Sequence, residues 1–384
     1  MDLLVDISEQ LQLKDSYQLS LISRRANSVL YHTRIIDEDD VVCRVVKVID
    51  LAKFRHLVRV DIHQKYTGLH LENLLDFNAS DLQNLSQICH LTNLTRLKIE
   101  SVYNKEIISI CQLTNLVELS LQGCHCINNI NDLVQLKKLF LRYNKTIKNI
   151  NNLTNLTSLD LTACCEINHI DELTNLTHLS LYDNHFIESV DKLVNLIDLD
   201  LSYKFEVKGL SSLTNLTNLK MMKTGMRILP HLLNLTELNL TMDQWINNLR
   251  MLPNLKILNL SEAKSVYNIS YLTNLTSLGL SYNDRIKNIS GMTHLKELRL
   301  RENQHIDNIS SLINLTSLDV WYNGRVEGIE DLTNLTTLNI CGRWRETEIS
   351  KLSNLVKLTF DRNTLLTMND RSHLSKIKNV IIRS

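Results

Sequence analysis

The sequence predicts an α/β repeat solenoid: a curved array in which each unit of about 20 residues supplies one short parallel strand, with a small helical module ahead of it. Two observations carry this. The stretch Leu-Thr-Asn-Leu-Thr-Ser-Leu-Asp-Leu at 153–161 returns with small edits at 173, 213, 272, 312 and 332. Counting each unit from its first Leu as +0, apolar residues then recur at +3, +6 and +8, and again at +14 and +17, with Asn or Cys often at +11.

Units begin at Leu91, Leu113, Leu133, Leu153, Leu173, Leu193, Leu213, Leu232, Leu252, Leu272, Met292, Leu312, Leu332, Leu352 and Leu374. Eleven of the fourteen steps share the length of the step from Leu133 to Leu153, a register too regular for chance. The exceptions are Leu91 to Leu113, Leu213 to Leu232 and Leu352 to Leu374. The pattern L-x-x-L-x-L-x-x-N/C resembles a leucine-rich repeat. The Leu pair at +6 and +8 has the two-residue period of a strand with one buried face, which turns +5, +7 and +9 outward. A lone unit cannot bury enough apolar surface to offset the entropy of ordering its backbone. Neighbouring units must therefore share core and strand hydrogen bonds.

The +11 residue is Asn at 144, 184, 283, 303, 323 and 363, and Cys at 124 and 164. An amide there is expected to turn inward and satisfy backbone groups where the strand ends, with a thiol doing a weaker version. The N/C-x-x-I-x-x-I spacing that follows, as in Cys164–Ile167–Ile170 and Asn283–Ile286–Ile289, leaves no room for a long helix. Extended segments or single turns are expected on the outer side.

Ahead of the regular units at 91–373, residues 51–90 hold two decayed units, at Phe54, Leu57, Val60 and Ile62, and at Leu71, Leu74, Phe77, Leu85 and Ile88. Residues 374–384 begin a terminal partial unit with Leu374, Ile377, Val380 and Ile382. Its Lys376, Lys378 and Arg383 would discourage further strand addition. Residues 1–50 form a separate module. Leu3, Leu4, Ile7 and Leu11 fall at helical spacing, as do Leu19, Ile22 and Ala26, with Lys14-Asp15-Ser16 as a turn between them. Ile35–Asp50 reads as a connector, an acidic run Asp37-Glu38-Asp39-Asp40 followed by the β-branched stretch Val41–Ile49.

The order of features in residues 1–33 resembles an F-box, although the usual Leu-Pro opening is absent and Ala26 stands where that family has Trp. Together with the repeats, the chain resembles the F-box/leucine-rich-repeat family, and its Asn- and Ile-rich, near-identical units resemble the repeat proteins of large DNA viruses of amoebae. The resemblance implies that Leu4, Ile7, Leu11, Leu19 and Ile22 dock a Skp-type adaptor and, through it, a cullin. The repeat face would select the protein to be ubiquitinated. The residues alone equally fit a plain interaction scaffold, phosphatase-regulator-like or decoy, whose amino-terminal helices cap the first apolar face.

On such a scaffold a protein partner meets the exposed strand positions. Most are small or polar, but Phe140, Arg142, Tyr143, Tyr182, Tyr203, Tyr282, Arg299, Arg301, Trp321 and Tyr322 are not. Aromatic residues make up 5% of the chain, so their gathering at +7, +9 and +10 marks those positions as a concave binding face. The bland alternative is packing between neighbouring rungs.

Forty-two Lys and Arg balance 42 Asp and Glu, which argues against nucleic acid or membrane as partner. Eight Cys without a paired C-x-x-C framework point to reduced thiols and an intracellular site. Repeat positions rather than metal ligands explain Cys124, Cys126, Cys164 and Cys165. The start lacks a signal peptide's basic region and apolar core, and no apolar run is long enough to span a membrane. With no H-E-x-x-H, no Gly-rich phosphate loop and no base beside Cys341, neither catalysis, a cofactor nor a small-molecule substrate is expected.

Overall fold

The computed structural model describes residues 33–37, 40–45, 59–62, 75–80, 88–100, 109–341, 349–361 and 377–383. It comprises two compact units, Met1–Asn195 and Leu196–Ser384. Each is a ladder of parallel strands, and the leucine-rich-repeat register runs through both. The helical module expected at 1–32, with Leu4, Ile7, Leu11, Leu19 and Ile22, lies outside the described residues. The connector does more than link: Thr33–Asp37 and Asp40–Val45 form an antiparallel hairpin, and the second strand pairs in parallel with Arg59–Ile62.

In the first unit Arg59–Ile62, Asp76–Ser80 and Arg96–Glu100 stack before the three-residue strands Glu118–Ser120, Lys138–Phe140, Ser158–Asp160 and His178–Ser180. Val60, Phe77 and Leu97 face one another in register, so the decayed units keep the +6 frame. In the second unit the ladder runs from Asp198–Asp200 to Asn379–Arg383, with Leu199, Leu219, Leu238, Leu258 and Leu278 stacked. The inward alternation is complete: Leu159 and Leu179 are 2% exposed and Leu278 1%. In the strand Asn379–Arg383 Ile382 is exposed. The outer side is irregular, and among the described residues its helical content after 109 is single 3-10 turns such as Leu210–Ser212 and Ile329–Asp331.

The Leu213 unit, one residue short, keeps its strand register: Asn218 still faces Glu237 and Leu219 faces Leu238. The deletion is absorbed on the outer descent, where Leu229 is buried one position early and Ile228 is left exposed. Gly225 makes this possible, since a Cβ there would meet the Phe205 carbonyl oxygen at 2.9 Å.

Hydrogen bonds between turns explain why the Leu-Thr-Asn-Leu-Thr frame is so constant. The +2 Asn donates Nδ2 to the +1 carbonyl of the turn before, as Asn155 to Val134 at 2.9 Å and Asn334 to Ile313 at 2.9 Å. The +4 Thr donates Oγ1 to the preceding +4 carbonyl, as Thr177 to Thr157 at 3.0 Å and Thr336 to Thr316 at 3.0 Å. A third Asn, at +16, accepts the N–H two residues on, as Asn149 from Asn151 at 2.8 Å. Such Asx turns end the outer segment without a helix.

The +11 side chains form the buried rail. Asn303 donates Nδ2 to the Leu280 and Asn283 carbonyls at 3.0 and 2.9 Å, and its Oδ1 accepts the His305 and Ile306 N–H groups, both at 3.0 Å. Asn144, Asn184, Asn283 and Asn323 repeat the arrangement in whole or part and are likewise buried; Asn363 lies outside the described residues. In the second unit this rail departs from Asn at Lys204, Thr224, Asp243 and Ala263, all buried.

Asp243 keeps the acceptor half of the role, taking the Trp245 and Ile246 N–H groups at 2.9 and 2.8 Å and the Thr224 hydroxyl at 3.2 Å. A carboxylate has no N–H to pass to the preceding turn, and burial holds the Asp243 carboxyl above its usual range. A carboxyl whose folded pKa is raised favours folding while protonated and loses that contribution as pH rises through its range. Asp243→Asn is therefore expected to stabilise the chain by about 1 kcal/mol at neutral pH. The gain should shrink on acidification towards the carboxylate range, as read by urea unfolding across pH.

Candidate functional site

The exposed strand residues fall into two rows. Positions +5, +7 and +9 alternate with the buried leucines and form the strand face itself. Position +10 does not continue the alternation. It occupies the left-handed region in turn after turn, with φ of 57° at Tyr143, 61° at Tyr203, 55° at Tyr282 and 56° at Tyr322. The expectation that +10 belongs to the strand face is corrected accordingly: it forms a border row of its own. The reason is a hydrogen bond. The +10 N–H donates across to the +9 carbonyl of the next turn, as Tyr282 to Arg301 at 2.8 Å, and the turned backbone then carries +11 inward.

In the first unit Phe140 is half-buried at +7 and Arg142 at +9 forms an ion pair with Asp160 of the next turn. Tyr143 is exposed at the border, while Tyr182 lies at +9 two turns on. These neighbours are mainly polar: Asp160 accepts the Thr162 N–H at 2.9 Å, and Thr162 and Ser180 share a hydroxyl hydrogen bond of 3.1 Å.

The second unit holds the denser cluster. Arg299 at +7 pairs with Glu297 at 3.3 Å, and Arg301 at +9 donates Nε to Asp319 at 2.9 Å. Asp319 also accepts the Trp321 N–H at 3.2 Å. Trp321 meets Tyr322 edge-on with ring centroids 6.1 Å apart, and the Arg383 guanidinium lies 5.4 Å above the Trp321 ring. Four of the expected residues, Arg299, Arg301, Trp321 and Tyr322, thus occupy two successive turns. Tyr282 joins them along the border, its hydroxyl donating to Glu302 at 3.0 Å; this bond holds the phenol above its usual pKa range.

Cys341 does not stand alone, as its sequence neighbours suggest. It is buried on the next turn, hydrogen-bonded to Tyr322 and to Asp361. Burial first, then the Asp361 carboxylate, push its thiol up to about 11. It therefore stays protonated near neutral pH rather than becoming a nucleophile.

The border row of the second unit runs Tyr203, Lys223, Met242, Glu262, Tyr282, Glu302 and Tyr322. Lys223 lies 5.5 Å from the centre of the Tyr203 ring. Lys223, Met242, Gln244, Glu262, Lys264 and Tyr282 line a shallow recess of about 500 Å³. Below it, on the outer descent, lie rings the sequence reading missed: Phe205, Trp245 and Tyr267 are exposed, with Arg227 over Trp245 at 5.1 Å and Arg285 over Tyr267 at 5.5 Å. Their signal was an aromatic residue off the +14 and +17 slots. Among the described residues no group of three His, Cys, Asp or Glu side chains could hold a metal ion, and no helix is long and apolar enough to cross a membrane.

No protein-family model and no curated protein matches this chain. Solved structures do. A leucine-rich-repeat protein of Leptospira interrogans superposes with a TM-score of 0.53 at 24% identity, over 82% of this chain and 91% of its own. YopM of Yersinia enterocolitica gives 0.53 at 19% identity, over 81% and 75%. The functional domain of InlJ from Listeria monocytogenes, which includes a cysteine ladder, gives 0.52 at 19% identity, over 74% and 66%. The fold of this chain is that of the leucine-rich-repeat proteins.

Proposed function

We propose that this protein works by protein–protein interaction, and that the strand face around Arg299, Arg301, Trp321 and Tyr322 captures a protein partner. The observation that carries the reading is the meeting of two Arg side chains and two rings on adjacent turns, the residue types that dominate protein interfaces. Each Arg is already held by a carboxylate, so the cluster enters a complex with little side-chain entropy left to lose. A leucine-rich-repeat ectodomain of an Arabidopsis thaliana receptor kinase, solved in complex with CASPARIAN STRIP INTEGRITY FACTOR 2, gives a TM-score of 0.51 at 17% identity, over 96% of this chain and 52% of that one. It supports the binding role by analogy of fold.

Within this role we favour a substrate receptor of an SCF-type ubiquitin ligase. Residues 1–33, which resemble an F-box, would hold a Skp-type adaptor while the strand face presents the target. The contribution is proximity: the target's effective concentration beside the loaded ligase rises with no chemistry in this chain.

Pull-down with a purified Skp-type adaptor tests the receptor. Binding that is lost on Leu19→Asp or Ile22→Asp supports it, and no binding by the unmutated chain leaves the plain scaffold. For the face, partners captured by the unmutated chain are identified and titrated against Arg299→Ala/Arg301→Ala/Trp321→Ala/Tyr322→Ala. Affinity should fall by at least about 100-fold with unfolding stability nearly unchanged, because exposed ion pairs of this kind contribute about 0–1 kcal/mol each. Equal affinity removes this face from the interaction.

A further inference from the structure

Position +11 is an acceptor niche. Where an acceptor stands there it receives the N–H groups of +13 and +14, as the Asn144 Oδ1 does from Thr146 and Ile147, both at 3.0 Å, and the Asp243 Oδ1 from Trp245 and Ile246. In two turns of the first unit the atom is sulfur. Cys124 receives the N–H groups of Cys126 and Ile127, and Cys164 those of Glu166 and Ile167.

The two turns then differ. Cys126, at +13, brings its own Sγ to 3.4 Å from the Cys124 Sγ, with both residues at most 1% exposed. Cys165, at +12, instead turns its partly exposed thiol towards Glu166, 3.9 Å away. Either sulfur can donate the S–H between the pair; with two N–H groups already directed at the Cys124 sulfur, donation by Cys126 gathers three donors on that one atom. Three donors on one sulfur stabilise its anion, led by the Cys126 thiol, and the Cys124 thiol is held below its usual range. Cys126 is pushed well above, because its proton is held by Cys124. At Cys164, which lacks this third donor, burial dominates and the thiol is raised. The backbone beneath the pair is pinned: Cys124 N–H donates to the Leu121 carbonyl at 3.1 Å, and the Cys124 carbonyl accepts from Asn144 at 2.7 Å.

We infer that Cys124 and Cys126 form a redox-active dithiol, with Cys124 the attacking and Cys126 the resolving thiol, and with a small hydroperoxide as oxidant. The oxidant is small because both sulfurs are buried. The Cys124 thiolate attacks one peroxide oxygen, the O–O bond breaks, and the leaving hydroxide takes a proton to become water. Cys124 is then a sulfenic acid. Cys126 gives up its proton, its sulfur attacks the Cys124 sulfur, and the S–O bond breaks with release of a second water. Two thiols and one hydrogen peroxide become one disulfide and two waters. The sulfurs stand 3.4 Å apart and need to close to bonding distance. An S–S bond is roughly 2 Å long, and side-chain torsions supply the movement.

The test is hydrogen peroxide added to the folded full chain, followed by denaturation, alkylation and peptide mass mapping. The Cys124–Cys126 peptide should escape alkylation and weigh about 2 Da less than its dithiol form, and thiol reductant should reverse this. Cys164 and Cys165 should remain unlinked to each other. In Cys126→Ser the disulfide is absent and a sulfenic-acid trap should label Cys124. Alkylation of both Cys124 and Cys126 at a peroxide dose that oxidises Cys165 would overturn the inference, as would a disulfide that forms only after the chain is unfolded.

Discussion

Asn303→Ala is expected to cost about 4 kcal/mol of stability, as is the same change at Asn184 or Asn283, which make the same four bonds. The Asn303 amide makes four hydrogen bonds, two to carbonyls of the preceding turn and two from its own. The site is fully buried, so no water replaces them. Because each turn touches only its neighbours, the damage should be local. Hydrogen exchange should quicken in the turns from 272 to 312 before global unfolding. Asn314→Ala supplies the contrast. It deletes one exposed amide bond, to the Thr293 carbonyl at 2.9 Å, which water can restore. That loss should cost about 0.5 kcal/mol. Equal losses from the two substitutions would refute the buried rail.

Gly328→Ala is expected to cost about 3 kcal/mol. The residue sits at φ +84°. In that region a side chain is opposed by roughly 1–2 kcal/mol. A Cβ would also stand 2.6 Å from the Ser310 Cβ and 2.8 Å from its backbone nitrogen. Neither obstacle is a flexible side-chain end, so the turns must part. The bridge between Asn308 and Glu327 is the first contact to be lost. Denaturant midpoints of this variant and of Gly291→Ala, which meets nothing within 4 Å, separate steric conflict from helix or turn propensity.

The leucine period was legible because burial imposes it on every turn; a single polar residue at +6 or +8 would break the core. Asn at +11 was legible for the same reason. The rails of Asn at +2 and Thr at +4 were printed as plainly in the sequence, yet exposed hydrogen-bonding side chains leave no hydrophobic period. What they do shows only when turns are stacked. The positive φ at +10 was hidden more deeply. Tyr, Lys, Met and Glu all occupy it, and none advertises a left-handed backbone. The constraint comes from the neighbouring turn's carbonyl. At the site, residue type was readable for Trp321 and Tyr322, but the row of Tyr322 was not. Nor were their pairings, because the contacts of Asp319, Cys341 and Arg383 with them depend on side-chain length and torsion, which spacing does not print.

The rails have one more consequence. Among the described residues, where the rails are regular, a rung hands its hydrogens to a near copy of itself, so those interfaces are interchangeable. Splicing in or cutting out one whole period leaves no orphaned group, whereas a change of a few residues within the rail does. A gene coding for such a chain can therefore lengthen or shorten by unequal crossing-over between its own near-identical segments, and the product still closes its seams.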